Sequence, residues 1–197
     1  MAVVVFGLGN SDLQYLNTKH NAGRIVMDIM VKKLGISYKK KPRYFFAKHE
    51  TLSDLYFVYS NGFMNVSGDS LSEYLKYFEL DNESTKVLVF QDDSDIVEVN
   101  QKLSKGGRSA GHKGIDSIYK SLLNSNISLE NIWRLKLGIR PKDFIGKSSR
   151  FVLAKINQVE LSHYSFLADY LLSKIDLIAH GEFEILQNDL NSALIKK

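Results

Sequence analysis

Chemistry in this chain can be sought first at His20, in the polar stretch Thr18-Lys19-His20-Asn21. Histidine is the side chain whose ordinary pKa suits removal of a proton from water near neutral pH. A carboxylate on its second ring nitrogen would fix the tautomer and stabilise the imidazolium. Asp92, after the apolar run Lys86–Phe90, is placed for that task. Asn10 and Asn65 each offer an amide NH2 and a carbonyl oxygen, so they can read a peptide backbone or an ester carbonyl. The combination suits hydrolysis of an ester by activated water. On the residues alone, His20 could equally enter a helix, Asn10 could stabilise a turn, and Phe63 could be a core residue.

Other chemistries are missing parts. Gly7-Leu8-Gly9 after a strand would begin a dinucleotide fingerprint, but Asp12 stands where the third glycine belongs. The stretch from Gly106 to Gly114 lacks the Gly-Lys-Ser/Thr ending of a phosphate loop. No Gly-x-Ser-x-Gly elbow is present, and Ser67 reads as a turn or cap residue. His20, His49, His112, His163 and His180 show no i, i+4 pairing for zinc. No metal or other cofactor is expected.

The elements that must hold these residues alternate between strands and helices. Val3–Phe6 is a short β-branched strand ending at Gly7. Helical spacing predicts helices over 21–34, 69–78, 115–124, 158–173 and 181–195. Strands are expected at Tyr44–Ala47, Leu55–Tyr59, Lys86–Phe90, Ile96–Leu103 and Ile132–Ile139. The alternation predicts a single α/β domain over 1–197: a mixed central sheet with helices on both faces, and C-terminal helices from about 158 packing on the sheet or the site rim. Asn10, Asp92 and the 106–114 loop all follow strands, at the sheet edge where ligands bind in open α/β folds.

Composition fits a globular domain: 197 residues, 44% of them hydrophobic and 24% charged. The absence of cysteine excludes thiol catalysis, disulfides and cysteine-based zinc sites. No apolar run approaches the roughly 18 residues of a membrane span, and the first residues read as a strand rather than a signal peptide. The net charge of +4 is uneven: residues 100–150 hold eleven Lys/Arg against three Asp/Glu, a local +8, leaving −4 for the flanks. A basic face on a mildly acidic body is a footprint for a polyanion, with a solvated surface as the plainer reading.

Six short patterns then run in order from about residue 2 to 170. They are Gly7-Leu8-Gly9-Asn10 with Tyr15 and Thr18–Gly23; Phe63-Met64-Asn65-Val66-Ser67-Gly68; Asp92 and Asp95; Gly111-His112-Lys113-Gly114-Ile115; Arg134–Pro141; and Phe151-Val152-Leu153. Together they resemble the bacterial-type peptidyl-tRNA hydrolases. The resemblance implies hydrolysis of the ester between a peptidyl group and the 3′-terminal ribose of tRNA. It implies that His20 is the base and Asp92 its orienting carboxylate, with Asn10 and Asn65 on the peptide near the ester. Tyr15 and Phe63 match positions at the tRNA end, where aromatics stack on unpaired bases. Met64, His112 and Lys113 fall in substrate-contacting motifs. Lys102, Lys105, Arg108, Lys113 and Arg134 are expected on acceptor-arm phosphates, whereas Lys136 and Arg140 can be strand-surface charges. The implied partner is peptidyl-tRNA, bound by a monomer with no membrane attachment. The implied location is the cytoplasm, with the mitochondrial matrix as the alternative.

The chain departs from the family pattern at four places. Asn10-Ser11-Asp12 replaces Asn-Pro-Gly, Lys19 replaces arginine before the histidine, Lys113 replaces an asparagine, and Arg108-Ser109-Ala110 replaces a more glycine-rich stretch. Lysine donates but cannot accept, so Lys113 cannot do all that an amide does. A related RNA-binding protein without catalysis, like plant organelle splicing factors of this fold, is the alternative; a hydrolase of another N-blocked ester is a third.

Overall fold

The computed structural model describes residues 1–192. It contains one seven-stranded mixed sheet, flanked by helices on both faces. In chain order the strands are β1 (Val3–Gly7), β2 (Lys39–Lys40), β3 (Tyr44–Lys48), β4 (Leu55–Ser60), β5 (Lys86–Val97), β6 (Gln101–Lys105) and β7 (Ile132–Arg140). The helices are α1 (Ala22–Lys33), α2 (Ser67–Tyr77), α3 (Lys113–Leu122), α4 (Gln158–Ser173), α5 (Ile175–Ala179) and α6 (Phe183–Ser192). The helix expected over 181–195 is α6, and residues 193–195 lie outside the described residues.

The spatial order is β2-β3-β4-β1-β5-β7-β6. β1 lies between β4 and β5 and is parallel to both, and β7 is parallel to β5. The outer strands β3 and β6 run antiparallel to their inner neighbours. A central strand covered on both faces must be apolar at every position. β1 is: Val3 and Val5 enter the core beneath α1, α4, α5 and α6, while Val4 and Phe6 enter the core beneath α2 and α3. Asn157 and Glu160 form a reciprocal capping box that starts α4, each satisfying an otherwise orphaned N–H of the other.

Two expectations change at the β5–β6 connection, which carries the chain past β7. β5 continues past Phe90 to Val97, because Gln91, Asp92 and Asp93 pair in register with Lys136, Leu137 and Gly138. A bulge follows between Asp93 and Val97. The chain then turns through Val99 at φ +64° before β6, so the single strand expected over Ile96–Leu103 is the end of one strand, a turn and most of another. The polar run that argued for a strand end is instead the strand's contribution to the cleft.

Candidate active site

His20 sits in a 3₁₀ turn, Lys19–Asn21, that leads directly into α1. The start of α1 is pressed onto β5: a Cβ added to Gly23 would lie 2.1 Å from the carbonyl oxygen of Phe90. Only glycine permits that approach. It brings His20 beside Asp92, two residues after Phe90. Backbone bonds from Lys19 N to Ala154 O (2.9 Å) and from His20 N to Val152 O (2.8 Å) clamp the turn to the segment ahead of α4. The Lys19 side chain points away into the protein, where Nζ lies 2.7 Å from Glu98 Oε2 and 2.8 Å from Glu160 Oε1. Burial pulls the Lys19 pKa down, but the two carboxylates outweigh it and raise it above the ordinary value.

His20 Nδ1 lies 2.9 Å from Asp92 Oδ1, and His112 Nε2 lies 2.9 Å from the same oxygen. The tautomers follow from the surrounding bonds. Gly114 N donates to His112 Nδ1 at 3.1 Å, so the hydrogen of this ring is on Nε2 and points at Asp92. Burial pushes the Asp92 carboxyl up, but the two imidazoles pull harder and hold it well below the usual carboxylate range. An ionised Asp92 accepts from both rings. His20 then donates through Nδ1 and keeps the Nε2 lone pair free, as a general base requires. Burial lowers the His20 pKa, the Asp92 charge and hydrogen bond raise it, and Lys113 pulls it back; the net shift is upward. These three side chains also bring ligand atoms within 4.8 Å of one another. The set is a poor metal site, because ligation by His112 Nε2 would move its hydrogen to Nδ1, against the Gly114 N–H.

A cavity of about 350 Å³ opens over this cluster. His20, Asp92, His112 and Lys113 line it together with Ser148, Ser149, Val152 and Leu153. Asp93 and Asp95 form its acidic rim. A second cavity of about 380 Å³ is lined by Asn65 with Asp69, Asp116 and Lys120, and Lys113 borders both.

Asn10 is buried beside this cleft rather than lining it. Asn10 and Asn21 form a reciprocal amide–backbone pair at 2.8 and 2.9 Å. The Asn10 Oδ1 accepts from Met64 N at 2.7 Å, which leaves Nδ2 as the available donor. Tyr15 is half-buried, and Phe63 is 56% exposed. Lys102, Lys105 and Arg108 are exposed.

Two expected contacts are corrected. Met64 packs in the core against Leu8, and a Cβ on Gly114 would lie 2.6 Å from its sulfur; its side chain supports the cleft wall rather than presenting itself to a substrate. Arg134 is 1% exposed and offers no phosphate contact. Its guanidinium donates to Gln91 Oε1 (2.7 Å), Gly106 O (3.3 Å) and Arg108 O (2.7 Å). It thereby fastens the 106–111 loop to the sheet. That loop needs such a fastening: Gly106, Gly107, Ala110 and Gly111 all have positive φ, a strained choice for the alanine. The sequence reading missed the second imidazole on Asp92 and the Lys19 ion-pair cluster. Separations of 20 and 79 residues carry no local signal for either.

Comparison with known proteins resolves the family. A sequence model described as Peptidyl-tRNA hydrolase matches residues 4–197. The chain belongs to the peptidyl-tRNA hydrolase family. It is 30% identical over 179 residues to the peptidyl-tRNA hydrolase of Desulfitobacterium hafniense, covering 89% of this chain and 92% of that one. The Marinobacter nauticus peptidyl-tRNA hydrolase is 28% identical over 194 residues, 96% of this chain and 95% of the relative. The crystal structure of peptidyl-tRNA hydrolase from Acinetobacter baumannii superposes with a TM-score of 0.81 at 27% identity, covering 97% and 95% of the two chains. The peptidyl-tRNA hydrolase fold expected from the motifs is therefore the fold observed. Among the described residues no helix is long and apolar enough to cross a membrane.

Proposed function

We infer that the chain hydrolyses the ester bond between a peptidyl group and the 3′-terminal ribose of tRNA. The observation that carries this reading is the pairing of His20 with an ionised Asp92 in a chain of this family, with the second ring nitrogen of His20 left to an open cleft. In the reaction, His20 Nε2 takes a proton as the water oxygen adds to the ester carbonyl. Asp92 stabilises the imidazolium that forms. The tetrahedral intermediate then collapses, and the departing ribose 3′-oxygen takes the proton back from His20. Asn10, through Nδ2, and Asn65 hold the peptide near the ester.

The remaining assignments follow the same reading. His112 shares the work of fixing Asp92. Phe63 and Tyr15 take the terminal adenine. Lys102, Lys105 and Arg108 attract acceptor-arm phosphates without reading sequence, which suits an enzyme that accepts many tRNAs. The chain acts as a single-domain monomer in the cytoplasm, and residues 1–197 form one functional unit. The ordered base–carboxylate pair weighs against a relative that binds RNA without turnover.

The test is release of free tRNA from an N-acetylaminoacyl-tRNA, with the unblocked aminoacyl-tRNA left intact. Equal cleavage of both substrates, or binding without cleavage, contradicts the reading.

A further inference from the structure

The family asparagine is replaced here by Lys113, and the structure puts that lysine, exposed to solvent, at the border of the cleft. It occupies the first turn of α3, directly after His112, which caps the helix by accepting from Gly114 N. The close fit of Gly114 against Met64 and Leu8 presses this helix end onto the wall that holds Asn10. Lys113 borders both the cavity over His20 and the one lined by Asn65. It takes part in none of the ion pairs among the described residues. A helix N-terminus already favours negative charge, and Lys113 adds a full charge that no carboxylate neutralises by contact.

Resting on the esterase reading above, we propose that Lys113 is a catalytic residue of this chain, an ammonium that stabilises the oxyanion formed when water adds to the ester carbonyl. The negative charge appears on the former carbonyl oxygen as the water proton moves to His20, and it disappears when the ribose oxygen leaves. A cation bordering the cavities of His20 and Asn65 therefore favours the intermediate over the neutral ester. Its other effect is on the base. The charge of Lys113 opposes protonation of His20 and partly offsets Asp92. The charged or titratable side chains lining the cavity with His20 are Asp92, Asp93 and Asp95 from β5 and His112 and Lys113 at the start of α3; Asp93 is itself paired with Lys136 Nζ of β7 at 3.4 Å, and Arg150 of the 148–153 segment is exposed outside the lining. Within that lining Lys113 is the lysine set against the carboxylates. The exposed Lys102, Lys105 and Arg108 lie outside this cavity lining and are left to the tRNA backbone.

The experiment compares wild type, Lys113→Met and Lys113→Arg on N-acetylaminoacyl-tRNA at several salt concentrations, and follows the His20 imidazole resonance against pH. Lys113→Met is expected to lower kcat by about tenfold or more, to change KM less than about threefold, and to leave the salt slope of substrate affinity unchanged. The His20 pKa should rise in Lys113→Met and stay put in Lys113→Arg, and Lys113→Arg should retain most of kcat. An unchanged kcat in Lys113→Met overturns the proposal. So does a raised KM with a flatter salt slope, the mark of a phosphate contact. Equal losses in the Met and Arg chains also overturn it, because charge would then not be the cause. Absence of turnover in the wild type defeats the esterase reading itself. The His20 titration still tests the electrostatic contact in that event, and an unmoved His20 pKa counts against it.

Discussion

The imidazole rings of His20 and His112 lie 5.2 Å apart, tilted by 44°, and both donate to one oxygen of Asp92. A single buried carboxylate oxygen therefore carries two N–H donors, one from the turn before α1 and one from the cap of α3. The base is positioned from two directions. Loss of His112 leaves Asp92 with one donor fewer, and loss of Asp92 frees both rings.

Asp92→Asn removes the charge that raises the His20 pKa while keeping an oxygen able to accept. Turnover should fall by at least about tenfold, as for loss of charge behind a general base. The acid limb of kcat/KM should move to lower pH, because the main cause of the upward shift is gone. A limb that stays in place would mean that Asp92 does not set the protonation of His20.

The pH dependence of the native chain has a definite sign. His20 must be neutral to act, and its pKa is raised above its ordinary value. Activity should therefore fall on acidification with a midpoint above the roughly 6.5 of a free histidine. For stability, the raised His20 contributes below the unfolded pKa, and its contribution is lost as pH rises through the folded value. The lowered Asp92 contributes above the unfolded carboxylate value and loses its contribution only as pH falls through its depressed folded value. Parallel pH–rate and pH–Tm series check both statements.

Arg134 should behave as a structural cation. Arg134→Met leaves Gln91 Oε1 and two loop carbonyls without their donor, and should cost about 1–3 kcal/mol of stability, read by denaturant unfolding. The salt slope of tRNA binding should not change. Alanine at Lys105 or Arg108 should do the reverse: little change in stability, and a slope reduced by about 0.7–0.9 for each phosphate no longer neutralised. A flatter slope in Arg134→Met would return Arg134 to the tRNA.

Gly23→Ala tests the seat of α1 on β5. The added Cβ would lie 2.1 Å from the Phe90 carbonyl oxygen, and backbone on both sides leaves little room to yield. Destabilisation of about 1–3 kcal/mol, the range for overpacking, should accompany a loss of turnover as His20 moves from Asp92. Full activity at native stability would show that this contact does not position the base.

The fold is legible in the sequence because its strands are buried apolar runs and its helices show 3.6-residue spacing. Val3–Gly7 declares itself as an apolar run, and Ile132–Arg140 by its alternation. The apolar part of β5 stops at Phe90, so its far end reads as a separate strand. Gln91 to Asp93 keep their ladder bonds while carrying polar side chains, and composition reports the side chains, not the ladder. His20 and Asp92 are legible as chemistry, and the motif order links them. Arg134 is not legible as buried. A positive charge in a basic segment looks like surface, and only the folded loop supplies the carbonyls that receive it. Lys19 is hidden in the same way, since Glu98 and Glu160 reach it from distant elements.

The central claim is that His20 is the base. Single-turnover cleavage of N-acetylaminoacyl-tRNA by wild type and by His20→Ala, each in saturating excess over the substrate and each with its tRNA affinity measured, tests it most directly. A rate reduced by at least about 10²-fold in His20→Ala, the low end for loss of a general base, with tRNA affinity unchanged, is the predicted result. Near-normal cleavage by His20→Ala would contradict the account.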